Sequence, residues 1–178
     1  MVKRVLIAAF SLAILIGSCR KEDVTPGTAT NSDPGNTPPV TGSAIVFNVD
    51  KAKLLQLVNN ARQAGCNCGT SKMPPVSPVT WNDKLAKAAY EHSVEMNAND
   101  YFSHTGLNGS TPGQRITGAG YVWKAYGENI AKGYSSEQAV MNGWLASEGH
   151  CKNIMSATFK EMGAGKQGAY WTQDFGAK

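Results

Sequence analysis

Histidine is scarce in this chain. The three copies, His92, His104 and His150, limit imidazole chemistry to one small site. Charge of one sign is also lacking. The formal net charge of +4 falls to about +2 if Lys3 and Arg4 leave with an N-terminal leader, and no Lys/Arg stripe interleaved with aromatics remains. A nucleic-acid partner is therefore excluded from the reading. Four cysteines are too few for a disulfide-dense scaffold. The longest apolar run is residues 5–16, interrupted only by Ser11. As a helix it would span roughly 18 Å against the ~30 Å of a bilayer core, so it is too short for a permanent membrane helix. No H-E-x-x-H helix, G-x-S-x-G elbow or internal repeat is present. At 42% hydrophobic and 17% charged residues, the composition is that of a chain with a packed core rather than a disordered one.

The organisation follows from composition shifts. Lys3 and Arg4, the short apolar run and then small residues make residues 1–18 a secretory signal peptide. Ile16-Gly17-Ser18-Cys19 resembles a bacterial lipobox, which implies cleavage before Cys19 and lipidation of its thiol. Arg20-Lys21-Glu22-Asp23 resembles the signal that carries lipoproteins to the outer face in some Gram-negative bacteria. These segments imply an outer-membrane lipoprotein, surface-exposed and held to the membrane by its lipid. Residues 19–44 hold the lipidated cysteine and a Pro/Gly/Thr-rich flexible linker without apolar periodicity. Residues 45–178 remain as one domain.

Within that domain Asp50 is placed to cap a helix running to Ala64, with Gly65 as its stop. Cys66 to Gly69 and residues 73–79 read as loop. Asn82 caps a second helix carrying Leu85, Ala88, Ala89, His92 and Met96 on one face, which makes His92 a core histidine. Thr111-Pro112-Gly113-Gln114 is a capping box opening a short helix. Ser136 opens another helix, which carries Trp144 and for which Gly149 is the natural stop. Residues 127–132, 161–167 and 169–175 read as strands. Helices first and strands late make the fold class α+β, with helices covering an antiparallel sheet. The four tryptophans read as core.

The polar residues that packing does not claim are His104, Glu128, Glu148 and His150. Two imidazoles and two carboxylates suit a divalent cation such as zinc, or acid–base pairs. Independent capping of separate loops is the simpler alternative. Glu148 and His150 point apart on an unbroken helix, so sharing a cleft requires a turn at Gly149. Ser103 beside His104 does not make a serine hydrolase, because neighbours in a loop rarely form the nucleophile–base bond. With Cys19 lipidated, Cys66, Cys68 and Cys151 are left, an odd count. A Cys66–Cys68 bridge would close a very tight ring. One of the two is expected to bond Cys151, with Cys68 favoured and Cys66 the alternative, and a thiol metal site is the competing arrangement.

The ordered set Trp81-Asn82-Asp83-x-Leu85-Ala86, Phe102-Ser103-His104, Tyr126-Gly127-Glu128-Asn129-Ile130, Trp144, Gly149-His150 and Tyr170-Trp171-Thr172-Gln173-Asp174-Phe175 resembles the CAP superfamily: cysteine-rich secretory proteins, antigen 5 and pathogenesis-related 1 proteins. The likeness is to its short bacterial branch. The resemblance implies a three-layer α-β-α sandwich and a cleft of two histidines and two glutamates that holds a divalent cation. By motif the ligands fall on His104, Glu128 and His150. The second glutamate of the pattern falls on Ser147, with Glu148 one residue further. The resemblance also implies a non-catalytic binding module for a small apolar ligand or an envelope or extracellular protein. A metal-dependent extracellular hydrolase, with Glu148 as general base and His104 among the metal ligands, is the alternative.

Overall fold

In the computed structural model, residues 46–178 are described. The signal peptide, Cys19 and the linker lie outside the described residues. Five helices and six strands follow in the order α1 (Lys51–Ala64), β1 (Cys66–Cys68), β2 (Ser71–Met73), β3 (Thr80–Trp81), α2 (Asp83–Ala98), α3 (Pro112–Gly118), β4 (Ala125–Lys132), α4 (Glu137–Ala146), α5 (Glu148–Ile154), β5 (Glu161–Gln167) and β6 (Tyr170–Ala177). Local chemistry accounts for most of the starts. The Asp50 carboxylate accepts from the Lys53 amide at 2.9 Å, and Gly65 ends α1 with φ 72°, a conformation glycine adopts without strain. Asn82 accepts from the Lys84 and Leu85 amides, Ser136 accepts from Ala139, and Thr111 and Gln114 form the full reciprocal box.

Four strands form the main sheet in the order β3-β5-β6-β4. β3 runs parallel to β5, and the other two pairings are antiparallel. The two faces divide by strand alternation. Met162, Ala164, Trp171 and Phe175 join Leu54, Val58, Met141, Trp144, Ile154 and Met155 in a core under α1, α4 and α5. The opposite face receives α2 and α3: Ser93 Oγ donates to Thr172 Oγ1 at 2.9 Å, and Met96 packs with Ile130 and Tyr170. The architecture is α-β-α, as the resemblance implied. On β5 the positions beneath α2 are glycines. A methyl at Gly163 would strike the backbone of Leu85 and Ala86, and one at Gly165 the backbone of Tyr90.

Three local expectations need correction. Cys66 to Gly69 and Met73 are not loop but part of a hairpin of β1 and β2, with Cys68 paired to Ser71, while residues 74–79 are loop as read. Both strands are three residues long, too short for an alternation signal, and the turn rests on Gly69 at φ 59°. Gly149 does not stop the helix after Ser136. The break is at Ser147, whose backbone is extended (φ −96°, ψ 123°) and whose carbonyl accepts from the Cys151 amide to open α5. Gly149 and His150 lie inside α5. Trp144 and Trp171 are buried as expected, whereas Trp81 and Trp123 are half-buried at the surface. Among the described residues no helix is long and apolar enough to cross a membrane.

Candidate functional site

The site is built around Glu128, in the middle of β4. Its side chain is almost fully buried on the α2/α3 face, and both carboxylate oxygens are engaged. Oε1 lies 2.7 Å from His104 Nδ1, and Oε2 accepts from Arg115 Nη2 at 2.6 Å. A carboxylate only accepts, so Nδ1 of His104 carries the proton. In the neutral ring Nε2 then keeps its lone pair, on a side chain that is half-exposed. Opposite Glu128 in the ladder is Asp174, wholly buried. Burial, and then the neighbouring Glu128 charge, push the Asp174 carboxyl well above the usual range, while Arg115 pulls the other way. Two acids face to face on adjacent strands do not both ionise readily: Arg115 pairs with Glu128, and Asp174 Oδ1 has no hydrogen-bond partner among the described residues.

The loop that carries His104 is held from two sides. Arg115 donates to the carbonyls of His104 and Ser110, each at 2.9 Å. From α2, His92 Nε2 lies 2.8 Å from the Ser103 carbonyl, which fixes the proton on Nε2. Glu95 accepts from the Leu107 amide and the Tyr101 hydroxyl, and these bonds overcome burial to hold its carboxyl below the usual range. His92 is fully buried as the helical stripe required, and it also sets the backbone beside His104. Burial lowers its pKa, with the Glu128 charge opposing. The sign follows: a depressed folded value gives stability that is present above the unfolded pKa of about 6.5 and lost as pH falls through the folded value. His150 shifts in the same direction. The urea midpoint should therefore fall as pH drops from about 7 towards 5. His92→Gln, which retains an N–H but does not titrate, should flatten that fall. Identical slopes in the two proteins would assign the acid sensitivity elsewhere.

His150 comes from the other layer. It sits on α5, half-buried, and its carbonyl accepts from Asn129 Nδ2 at 3.2 Å. Asn129 also donates to Gln173 and accepts from Asn153, a buried amide network on the α5 face of the sheet. Burial and then the His104 charge hold the His150 pKa down. Glu128 and Asn129 are consecutive and so point to opposite faces, and β4 is an edge strand. His104 and His150 can thus meet only around that edge. A pocket of about 300 Å³ runs across this edge, from Phe102 past Ile130 and Lys132 to Trp144, Ser147 and His150.

Glu148 is placed elsewhere. Because α5 continues through Gly149, Glu148 and His150 diverge. The Glu148 carboxylate pairs with Lys152 at 2.5 Å and its side chain lies over Gly69. Of the four polar residues singled out from sequence, His104 and Glu128 touch, His150 lies within electrostatic reach of His104, and Glu148 serves the hairpin. The sequence reading missed Arg115 and Asp174. The available signal was an arginine directly after a capping box, four residues beyond Thr111, in a helix too short to need its own charge.

Cys68 and Cys151 are joined by a disulfide that ties β1 to α5, and among the described residues Cys66 is the free thiol. The family model described as "CAP: Cysteine-rich secretory protein family" matches residues 55–175. The chain belongs to this family. An uncharacterized Bacillus subtilis protein, YkwD, is 31% identical over 152 residues, covering 84% of this chain and 54% of that protein. This CAP chain therefore spans about half the length of that relative. The crystal structure of an extracellular protein containing an SCP domain from Bacillus anthracis superposes with a TM-score of 0.64 at 31% identity, over 71% of this chain and 40% of that one. An outer surface protein from Borrelia burgdorferi shares the fold, with a TM-score of 0.57 at 21% identity, over 71% and 88% of the two chains.

Proposed function

We propose that this CAP protein is a membrane-anchored extracytoplasmic lipoprotein, a non-catalytic binding module whose edge-strand cleft holds a divalent cation. The leader, the Cys19 lipobox and the extracellular Bacillus anthracis relative support the location. The observation that carries the cation is the His104–Glu128 bond. It occupies Nδ1 and leaves Nε2 free, the arrangement by which a carboxylate fixes the tautomer of a metal-binding histidine. By their chemistry His104 and His150 would be the donors to a metal of the zinc class, with Glu128 as the group that orients His104 and open positions for water or a ligand. The pocket beside them, lined by Phe102, Ile130 and Trp144, suits a small apolar ligand or an apolar side chain of an envelope partner. A hydrolase would need a general base at the metal, and the Glu148 carboxylate is committed to Lys152.

Calorimetry with zinc on the oxidised full chain at neutral pH tests this. Wild type should bind, with affinity weakening as pH falls, because ligation needs neutral imidazole. His104→Ala and His150→Ala should abolish binding with the fold retained. Glu128→Gln should weaken it by roughly 10–100-fold, as loss of an orienting partner does. Glu148→Ala should change nothing. No heat with wild type, or equal affinity in His104→Ala, ends the metal reading. Metal-dependent turnover of peptide or ester substrates that disappears in Glu148→Ala would replace binding with hydrolysis.

A further inference from the structure

The CAP cleft leaves unexplained a second cluster on the other side of α5. Cys66 and Cys68 are two apart on β1, so both side chains face α5, where Cys151 is buried. All three sulfurs lie within 4.8 Å of one another. Cys66 Sγ is 3.5 Å from Cys151 Sγ and 3.9 Å from Cys68 Sγ. Tetrahedral zinc with Zn–S bonds near 2.3 Å needs sulfurs about 3.8 Å apart. Two edges of the triangle already have about that length, and only the disulfide edge must open.

We propose that, once the Cys68–Cys151 bond is reduced, Cys66, Cys68 and Cys151 form a three-thiolate site for a borderline-soft divalent cation such as zinc. The reductant is a dithiol. It gives two electrons and two protons, becomes a disulfide itself, and leaves Cys68 and Cys151 as thiols beside Cys66. Metal entry then releases three protons and makes three metal–sulfur bonds. The fourth position is open towards solvent, because Cys66 is half-buried and lines an open pocket of about 500 Å³ with Lys72 and Met73. Burial pushes the Cys66 thiol up, so without metal it stays protonated at neutral pH.

The cluster survives reduction because the disulfide is not the sole tie between its parts. Arg62 donates to Ser77, a few residues after the hairpin, and to Ile154 at the end of α5. Val76 N donates to the Arg62 carbonyl at 2.8 Å. The segment leaving β2 and the helix carrying Cys151 are thus fastened to one residue of α1. Soft thiolate ligands select zinc-class metals over calcium and magnesium.

Anaerobic titration of the full chain with cobalt(II), after reduction by a water-soluble phosphine that takes up oxygen from water and leaves as its oxide, tests the site. Reduced wild type should show thiolate-to-cobalt charge transfer at one equivalent, bleached by zinc, with unchanged far-ultraviolet circular dichroism. The oxidised protein should show no such band. Cys66→Ser keeps the disulfide and folds; after reduction its cobalt affinity should fall by more than the roughly 10–100-fold that loss of a mere outer partner costs. His104→Ala should titrate as wild type does, which separates this site from the cleft. Absence of charge transfer in reduced wild type, equal affinity in Cys66→Ser, or loss of the fold on reduction would each overturn the proposal.

Discussion

Gly163→Ala should leave the CAP domain unfolded or nearly so. The added carbon would enter the backbone of α2 at Leu85 and Ala86, not the end of a flexible side chain. Neither partner can move independently: α2 is seated along β5 and β6, and β5 is an interior strand. Overpacking that only displaces side chains costs about 1–3 kcal/mol; lifting a whole helix should exceed about 4 kcal/mol. Against a total of about 5–15 kcal/mol that is most of the stability. Gly149→Ala is the control. It sits exposed inside α5 with nothing near its added methyl, and should be neutral or gain about 0.5–1 kcal/mol. Urea unfolding of the two variants checks both. A Gly163→Ala midpoint close to that of wild type would mean that α2 does not sit directly on the sheet.

The second large effect is expected at Arg62. Its side chain is fully buried, and burial lowers its pKa without discharging it. Its donors serve the carbonyls of Ser77 at 2.8 Å, Ile154 at 2.6 Å, Ser156 at 2.9 Å and Phe159 at 3.3 Å. Ile154 is the last residue of α5, so the cation also meets the negative end of that helix. Arg62→Met keeps most of the volume and strands four acceptors. At about 1–3 kcal/mol for each one left dry, the loss should reach about 4 kcal/mol or more even if water recovers some. Arg62→Lys should restore little, since one ammonium cannot span acceptors that the planar fork reaches separately. If thermal unfolding shows Arg62→Lys equal to wild type, the fork geometry is not what matters.

What was legible in the sequence is what local chemistry decides. Asp50, Asn82, Thr111 with Gln114, and Ser136 each cap the helix they announce, because a cap needs only a side chain and the next three amides. The strand Glu161–Gln167 was legible from its position before a glycine turn. The start of α5 was not, because that boundary depends on Ser147 serving two helices at once, which no local residue preference dictates. The hairpin at Cys66 was invisible for want of length. At the site, motif order singled out His104, Glu128 and His150. That Glu128 faces His104 from beneath while His150 approaches around the edge of β4 depends on strand register. The same register makes Asp174 the neighbour of Glu128 and gives Arg115 its task.

The position of β6 bears on how the domain is made. Every pairing in the main sheet involves β5 or β6, the last two strands in sequence. A growing chain up to residue 160 can form helices and the small hairpin but none of that sheet. Until then the apolar face of α2, with Leu85, Ala88, Ala89 and Met96, lacks the surface it will cover. Closing Thr80 onto Glu161 and Ala125 onto Ala177 spends loop entropy before any contact repays it, so contact order is high and folding correspondingly slow. The interval between synthesis and closure is when this chain is most exposed to aggregation and to whatever shields nascent proteins.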